Sequence, residues 1–212
     1  MATGNTYGAG STVIGGGIPV WRSVDPNGKW QSGGKIANLP VAGTVIAAGT
    51  PVELNTETHV AKIGNYFKVH TAPSSGTSLK IVVAPGLPRL AVGMYIAPAA
   101  ATVGGSVTAI TVTGTITSVL TDGVGYDEIA IVGSSLGAPA QYSLLVQAAA
   151  NSTSVAYAIP NALTYEDVYV DADTTVATAA CVHTGTVYSA RTPFMSAAVI
   201  ASLPTIKFDN AL

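Results

Sequence analysis

Along much of the chain apolar and polar residues alternate with a period of two, the spacing that turns one face of a strand to a core and the other to solvent. The clearest run is Ile110 to Thr117, where Ile110, Val112 and Ile116 share a face opposite Thr111, Thr113, Thr115 and Thr117. It lies within a Thr, Val and Ile segment from Val107 to Val119. Further strands are predicted over Leu79–Ala84, which Pro85-Gly86 ends, and over Asp127–Val132, Val168–Val170, Val176–Tyr188 and Ile206–Phe208. Gly43 to Leu54 has β-branched residues punctuated by glycine. His59–Ile63 and Tyr66–Val69 follow, divided by Gly64-Asn65, a pair suited to a two-residue hairpin. Val24 to Trp30 carries tight-turn chemistry in Pro26 and Gly28, so Trp21 and Trp30 are expected to flank a hairpin.

Helix signals are few. Pro139 to Ala150 fits a helix with proline in its first turn, although Tyr142 to Val146 suits a strand as well. A last helix is predicted from the cap Thr192 and Pro193 through Leu203, where Pro204 blocks extension. The fold class read from this pattern is mainly all-β with a short C-terminal helix. Met1 to Gly34, rich in Gly, Ser, Thr and Asn, reads as an arm, and Thr71 to Ser78, with Pro73, Gly76 and three serines, as a linker.

Charge sharpens this picture. Only 9% of the residues are Asp, Glu, Lys or Arg, against about 25% in typical soluble domains. Leu90–Thr121 and Ile129–Tyr165 carry no charge at all. Neither is a membrane-spanning helix, because a spanning run needs about 20 helix-compatible apolar residues and these are broken by Gly, Pro and Thr. The first 21 residues lack a basic segment ahead of an apolar one, so no secretory leader is expected. A chain that is 48% hydrophobic with so few charges is expected to bury surface against neighbouring subunits. Residues 1–120 hold seven basic and three acidic side chains, and 121–212 hold two and eight. This division suits two solvated faces, or a basic half that meets an acidic protein surface. No basic cluster is dense enough to neutralise several phosphates, so nucleic acid is not an expected partner.

Candidate chemistry is sparse. The single Cys181, in Ala179-Ala180-Cys181-Val182, reads as a small buried hydrophobe. His59, His70 and His183 stand singly, without metal-ligand spacing. Asp167, Asp171 and Asp173 fall on one face of an extended segment, either as oxygen ligands for Ca²⁺ or as a charged strand edge that resists aggregation. No nucleophile elbow, phosphate loop or zinc-protease motif is present, so neither an enzyme nor a cofactor is expected. Trp21 and Trp30, with Arg22, Lys29 and Lys35 around them, are either anchors for a partner surface or a local hairpin core.

Three groups of residues carry a resemblance: Trp21-Arg22-Ser23-Val24-Asp25 with Gly28-Lys29-Trp30; Gly43 through Val52; and Gly185-Thr186-Val187-Tyr188 leading into Phe194–Ala198 and Leu203–Phe208. Together they resemble the head-fibre and capsid decoration proteins of tailed bacteriophages. The resemblance implies a β-clip or β-tulip-like decoration domain that sits as a homotrimer on the capsid exterior, bound to major capsid protein. It implies a virion component, assembled in the host cytoplasm, with no membrane or nucleic-acid partner. Read this way, residues 1–34 are the N-terminal arm, 35–75 plus 148–212 the decoration domain, and 76–147 an inserted or projecting β domain. Trp21, Arg22, Lys29, Trp30 and Lys35 become the capsid-binding set, and Ile110, Val112 and Ile116 the oligomer interface. The competing expectation is a glycan- or host-surface-binding adhesin whose insert offers Tyr95, Tyr126 and Tyr142 as stacking platforms.

Overall fold

The computed structural model describes residues 20–40, 42, 44–73, 77–83, 87, 90–99, 114–121, 125–132, 136, 139–148, 159–171 and 173–210. Its first strands are β1 (Trp21–Val24), β2 (Lys29–Ile36), β3 (Thr44–Ile46), β4 (Pro51–Asn55) and β5 (Val60–Ile63). Then come β6 (Tyr66–Thr71), β7 (Ser78–Val82), β8 (Tyr95–Pro98), β9 (Gly114–Leu120), β10 (Tyr126–Val132) and β11 (Leu144–Ala148). The chain closes with β12 (Ala162–Thr164), β13 (Val168–Val170), β14 (Thr178–Val182), β15 (Gly185–Tyr188), the helix α1 (Ala197–Ala201) and β16 (Ile206–Asp209). Strands make up most of the regular structure among the described residues, so the all-β expectation holds, and the one α-helix among them is short and near the C-terminus.

The strands close into two barrels. One has the order β12-β14-β2-β5-β4, and the other β10-β7-β6-β11-β8-β9. The second is built from a single stretch of chain. Its strands alternate as the sequence pattern requires: Phe67, Val69, Leu79, Ile81, Ile129 and Ile131 point inward, and Lys68, His70, Lys80, Tyr126 and Glu128 point out. Asp127 is the polar exception, 6% exposed, with an Oδ1 that finds no hydrogen-bond partner among the described residues. The five-stranded barrel is filled by Ile36, Val52, Leu54, Ile63 and Cys181. A third apolar cluster joins the barrels, with Tyr66, Ala97 and Val146 from the outside of the six-stranded one against Leu163, Val187, Val199, Leu203 and Ile206.

Several sequence expectations change here. Trp21 and Trp30 do not flank a self-paired hairpin. Instead β1 pairs with β15 and β2 with β14, so two neighbouring turns nest against each other, with the His183 amide donating to the Gly28 carbonyl at 2.8 Å. The arm expected over residues 1–34 is therefore strand from Trp21 onward, apart from that turn, while residues 1–19 lie outside the described residues. Gly64-Asn65 is the passage from one barrel to the other, because among the described residues β5 pairs with β2 and β4 while β6 pairs with β7 and β11. The segment read as a linker joins β6 to β7, antiparallel neighbours within one barrel. The six-stranded barrel thus spans residues 66–148 rather than beginning at 76. Its ends meet, since Asn65 Nδ2 donates to Gln147 Oε1 at 2.6 Å and the Gln147 amide to the Asn65 carbonyl at 3.0 Å.

The ambiguous stretch after Pro139 resolves as β11, a strand held on both sides by β6 and β8. The C-terminal helix starts later than expected. Thr192 and Pro193 follow a 3₁₀ turn at Ser189–Arg191, and the cap is Ser196, whose Oγ accepts from the Val199 amide at 3.3 Å. Phe194 and Met195 pack on the third cluster before the helix begins, and that packing delays it.

Candidate functional site

The residues expected to bind a partner fall into separate settings. Trp21 is half-buried in β1; its Nε1 donates to the Thr164 carbonyl at 3.2 Å, and its ring lies 6.4 Å from that of Tyr165. Lys29, on the neighbouring β2, holds its Nζ 3.4 Å from the centroid of the same Tyr165 ring. Trp30 follows Lys29 and so points to the opposite face of the strand, where it packs on the five-stranded core and lies 4.4 Å from the His183 ring. Arg22 forms an ion pair with Asp209. Lys35 is exposed at the far end of β2, paired with Thr178 and Val60. The structure therefore assembles Trp21 and Lys29 around Tyr165, and leaves Trp30, Arg22 and Lys35 apart from them. Tyr165 was missed because it is 136 residues from Lys29, and only the β12–β14–β2 ladder brings them together.

Of the expected oligomer-interface residues, Ile110 and Val112 lie outside the described residues. Ile116 is 1% exposed, packed inside the six-stranded barrel, so its side chain is already covered within the protomer.

The carboxylates also have local work. Asp167 Oδ1 accepts from the Ala48 amide at 2.6 Å. Asp171 Oδ1 accepts from Thr174 Oγ1 at 2.7 Å and from the Asp173 amide at 3.0 Å, and these bonds, the Thr174 hydroxyl first, hold its carboxyl below the usual range. Among the described residues no group of three His, Cys, Asp or Glu is placed to hold a metal ion. Cys181 is fully buried, as its neighbours in sequence suggested, and burial pushes its thiol up to about 11.

A second surface lies on the outside of the six-stranded barrel. Lys80 Nζ is 4.8 Å from the Tyr126 ring centroid, and the His70 ring stacks on the same tyrosine at 4.9 Å. Lys68 Nζ sits between two further rings, 5.1 Å from Tyr142 and 5.2 Å from Phe194. Tyr142 is 60% exposed and has φ of 63°, a left-handed conformation normally left to Gly or Asn. Its turn is pinned by bonds from the Tyr142 amide to the Val69 carbonyl at 2.8 Å and from the Ser143 amide to the Ala140 carbonyl at 3.0 Å. Ala140 and Ser143 of the same turn line an open apolar groove of about 610 Å³, closed on its other side by Met195, Ser196 and Ala197.

Compared with protein-family models, with curated proteins and with solved structures, this chain has no match. Both surfaces combine lysine ammonium groups with aromatic faces, an arrangement suited to non-covalent recognition. The first lies in the part of the chain that suggested capsid attachment. The second contains Tyr126 and Tyr142, two of the three tyrosines named for a sugar site; Tyr95 lies elsewhere, on β8 beyond β11.

Proposed function

We propose that this chain is a structural protein of a tailed-phage virion, a trimeric capsid decoration or head-fibre subunit that binds major capsid protein on the outside of the head. The observation that carries this reading is uncovered apolar surface in a chain with little charge. Val92, Leu120, Val132 and Tyr169 are each at least 60% exposed, while only 9% of all residues are ionic. Surface of that kind is stable in water when neighbouring subunits cover it. Leu120 and Val132, on adjacent strands β9 and β10, take the place of the inward-facing Ile116 as apolar groups available to a partner subunit.

The Trp21, Lys29 and Tyr165 cluster is the proposed capsid contact, while Arg22, Trp30 and Lys35 stand apart from it. Most of the two indoles is already engaged within the protomer, so Lys29 supplies the steering charge. The test is co-sedimentation with assembled capsids, using the parent and Lys29→Glu. We expect the parent to sediment as a trimer by analytical ultracentrifugation and to bind capsids, and Lys29→Glu to keep its melting temperature but lose binding. A stable monomer that ignores capsids refutes the proposal. A glycan-binding adhesin is the second reading, favoured by one observation, the exposed Tyr142 beside Lys68.

A further inference from the structure

We infer that the outer face of β6, β7 and β10, together with the turn bearing Tyr142, binds an extended anionic polysaccharide. This names the ligand class for the second reading and is independent of capsid attachment, which the co-sedimentation above measures separately.

Three observations support it. First, each lysine on this face lies over an aromatic ring, Lys80 at Tyr126 and Lys68 between Tyr142 and Phe194, and among the described residues neither has a carboxylate partner. Glu128 stands directly across from Lys80 in the ladder, yet its Oε1 accepts from Ser78 Oγ at 2.7 Å instead. Neither ammonium is held in an ion pair among the described residues, and Lys68, which faces Leu144 in its ladder, has no carboxylate directly across from it. Second, Tyr142 is held in a strained conformation with its ring mostly in solvent. Among the described residues Tyr142 belongs to none of the three core clusters, and strained residues recur at ligand clamps. Third, β6 is bulged between Val69 and Thr71, opposite Lys80, and His70 in that bulge stacks on Tyr126. The bulge braces one platform, as the turn fixes the other.

Tyr126 reaches from β10 to the His70 ring on β6, and the Tyr142 amide is bonded to the Val69 carbonyl of that same strand, so the two platforms flank β6. That arrangement suits sugar units lying over β6, with their apolar C–H faces on the tyrosine rings and their acid groups at the lysines. A nucleic-acid strand is the poorer fit, because its backbone asks for several neutralised phosphates and this face has two lysines in a chain of net charge −2.

The experiment measures binding of the full-length chain to dextran sulfate, with neutral dextran of the same length and single-stranded poly(dT) as comparisons, at low and high salt. We expect dextran sulfate to bind at low salt despite the protein's net negative charge, to weaken as salt rises, and to bind more tightly than either comparison. Tyr142→Gly leaves the charge unchanged and suits the turn, so a loss of about tenfold or more identifies the ring as a platform. The double variant Lys68→Gln and Lys80→Gln should lose at least as much, and it supplies the reading should Tyr142→Gly fail to fold. No binding to dextran sulfate, equal binding to neutral dextran, tighter binding to poly(dT), or an unchanged affinity in folded Tyr142→Gly overturns the inference.

Discussion

Cys181 lies at 0% exposure between Ala179 and Val182 on β14, and its thiol is displaced from an ordinary 9.0 to about 11 by burial alone, against a small opposing backbone bond from Gly34. An acid whose folded value is raised stays neutral in both states below pH 9 and contributes nothing to pH dependence there. Between pH 9 and 11 the unfolded chain ionises first, and stability falls by about 3 kcal/mol once pH exceeds both values. Urea unfolding of the parent and Cys181→Ala across pH 7 to 11 should show this loss in the parent only; equal slopes would mean that the thiol is accessible when folded. The burial was legible in the sequence because small apolar residues flank the cysteine. The setting of Lys29 was not, since its aromatic partner Tyr165 arrives through a ladder and carries no local signal.

At the level of elements, β2 shows how one residue sets a register. Gly33 has φ of +58° within an irregular stretch where Ala179 faces Gly34 but Cys181 faces Trp30, so that β2 takes up extra residues against β14. A Cβ at Gly33 would lie 2.1 Å from the Ala179 carbonyl oxygen in a backbone conformation that side chains avoid. Gly33→Ala should therefore destabilise the protein by on the order of 3 kcal/mol, read as a lowered midpoint in chemical denaturation, whereas an unchanged midpoint would show that the ladder shifts freely. Strands β7, β10 and β16 were legible because each is a short apolar or β-branched run set off by Pro or Gly turn residues. Gly64-Asn65 and the Thr71–Ser78 segment exchange roles for a physical reason: turn chemistry marks where a chain bends, and only pairing decides which strands it then joins.

For the whole molecule, the six-stranded barrel is contiguous, closed, and filled by its own core, with ends tied together at Asn65 and Gln147. Residues 65–148 expressed alone should give a β-type circular dichroism spectrum and unfold cooperatively, less stable than in the full chain because Tyr66, Ala97 and Val146 lose the third cluster. A featureless coil spectrum would show that the barrel needs the rest of the protein. The five-stranded barrel has no such independence, since β12 and β14 return from beyond the six-stranded one to pair with β4 and β2. What the amino-acid sequence determined by itself was local: the two-residue period, the scarcity of charge, the buried thiol, and the placement of turns. Only the tertiary structure decided the closure of two barrels, the pairing of Lys29 with Tyr165, the inward turn of Ile116, and the gathering of Lys68, Lys80, Tyr126 and Tyr142 on one face. Each of these depends on contacts between residues far apart in the chain, which a period or a turn signal does not encode.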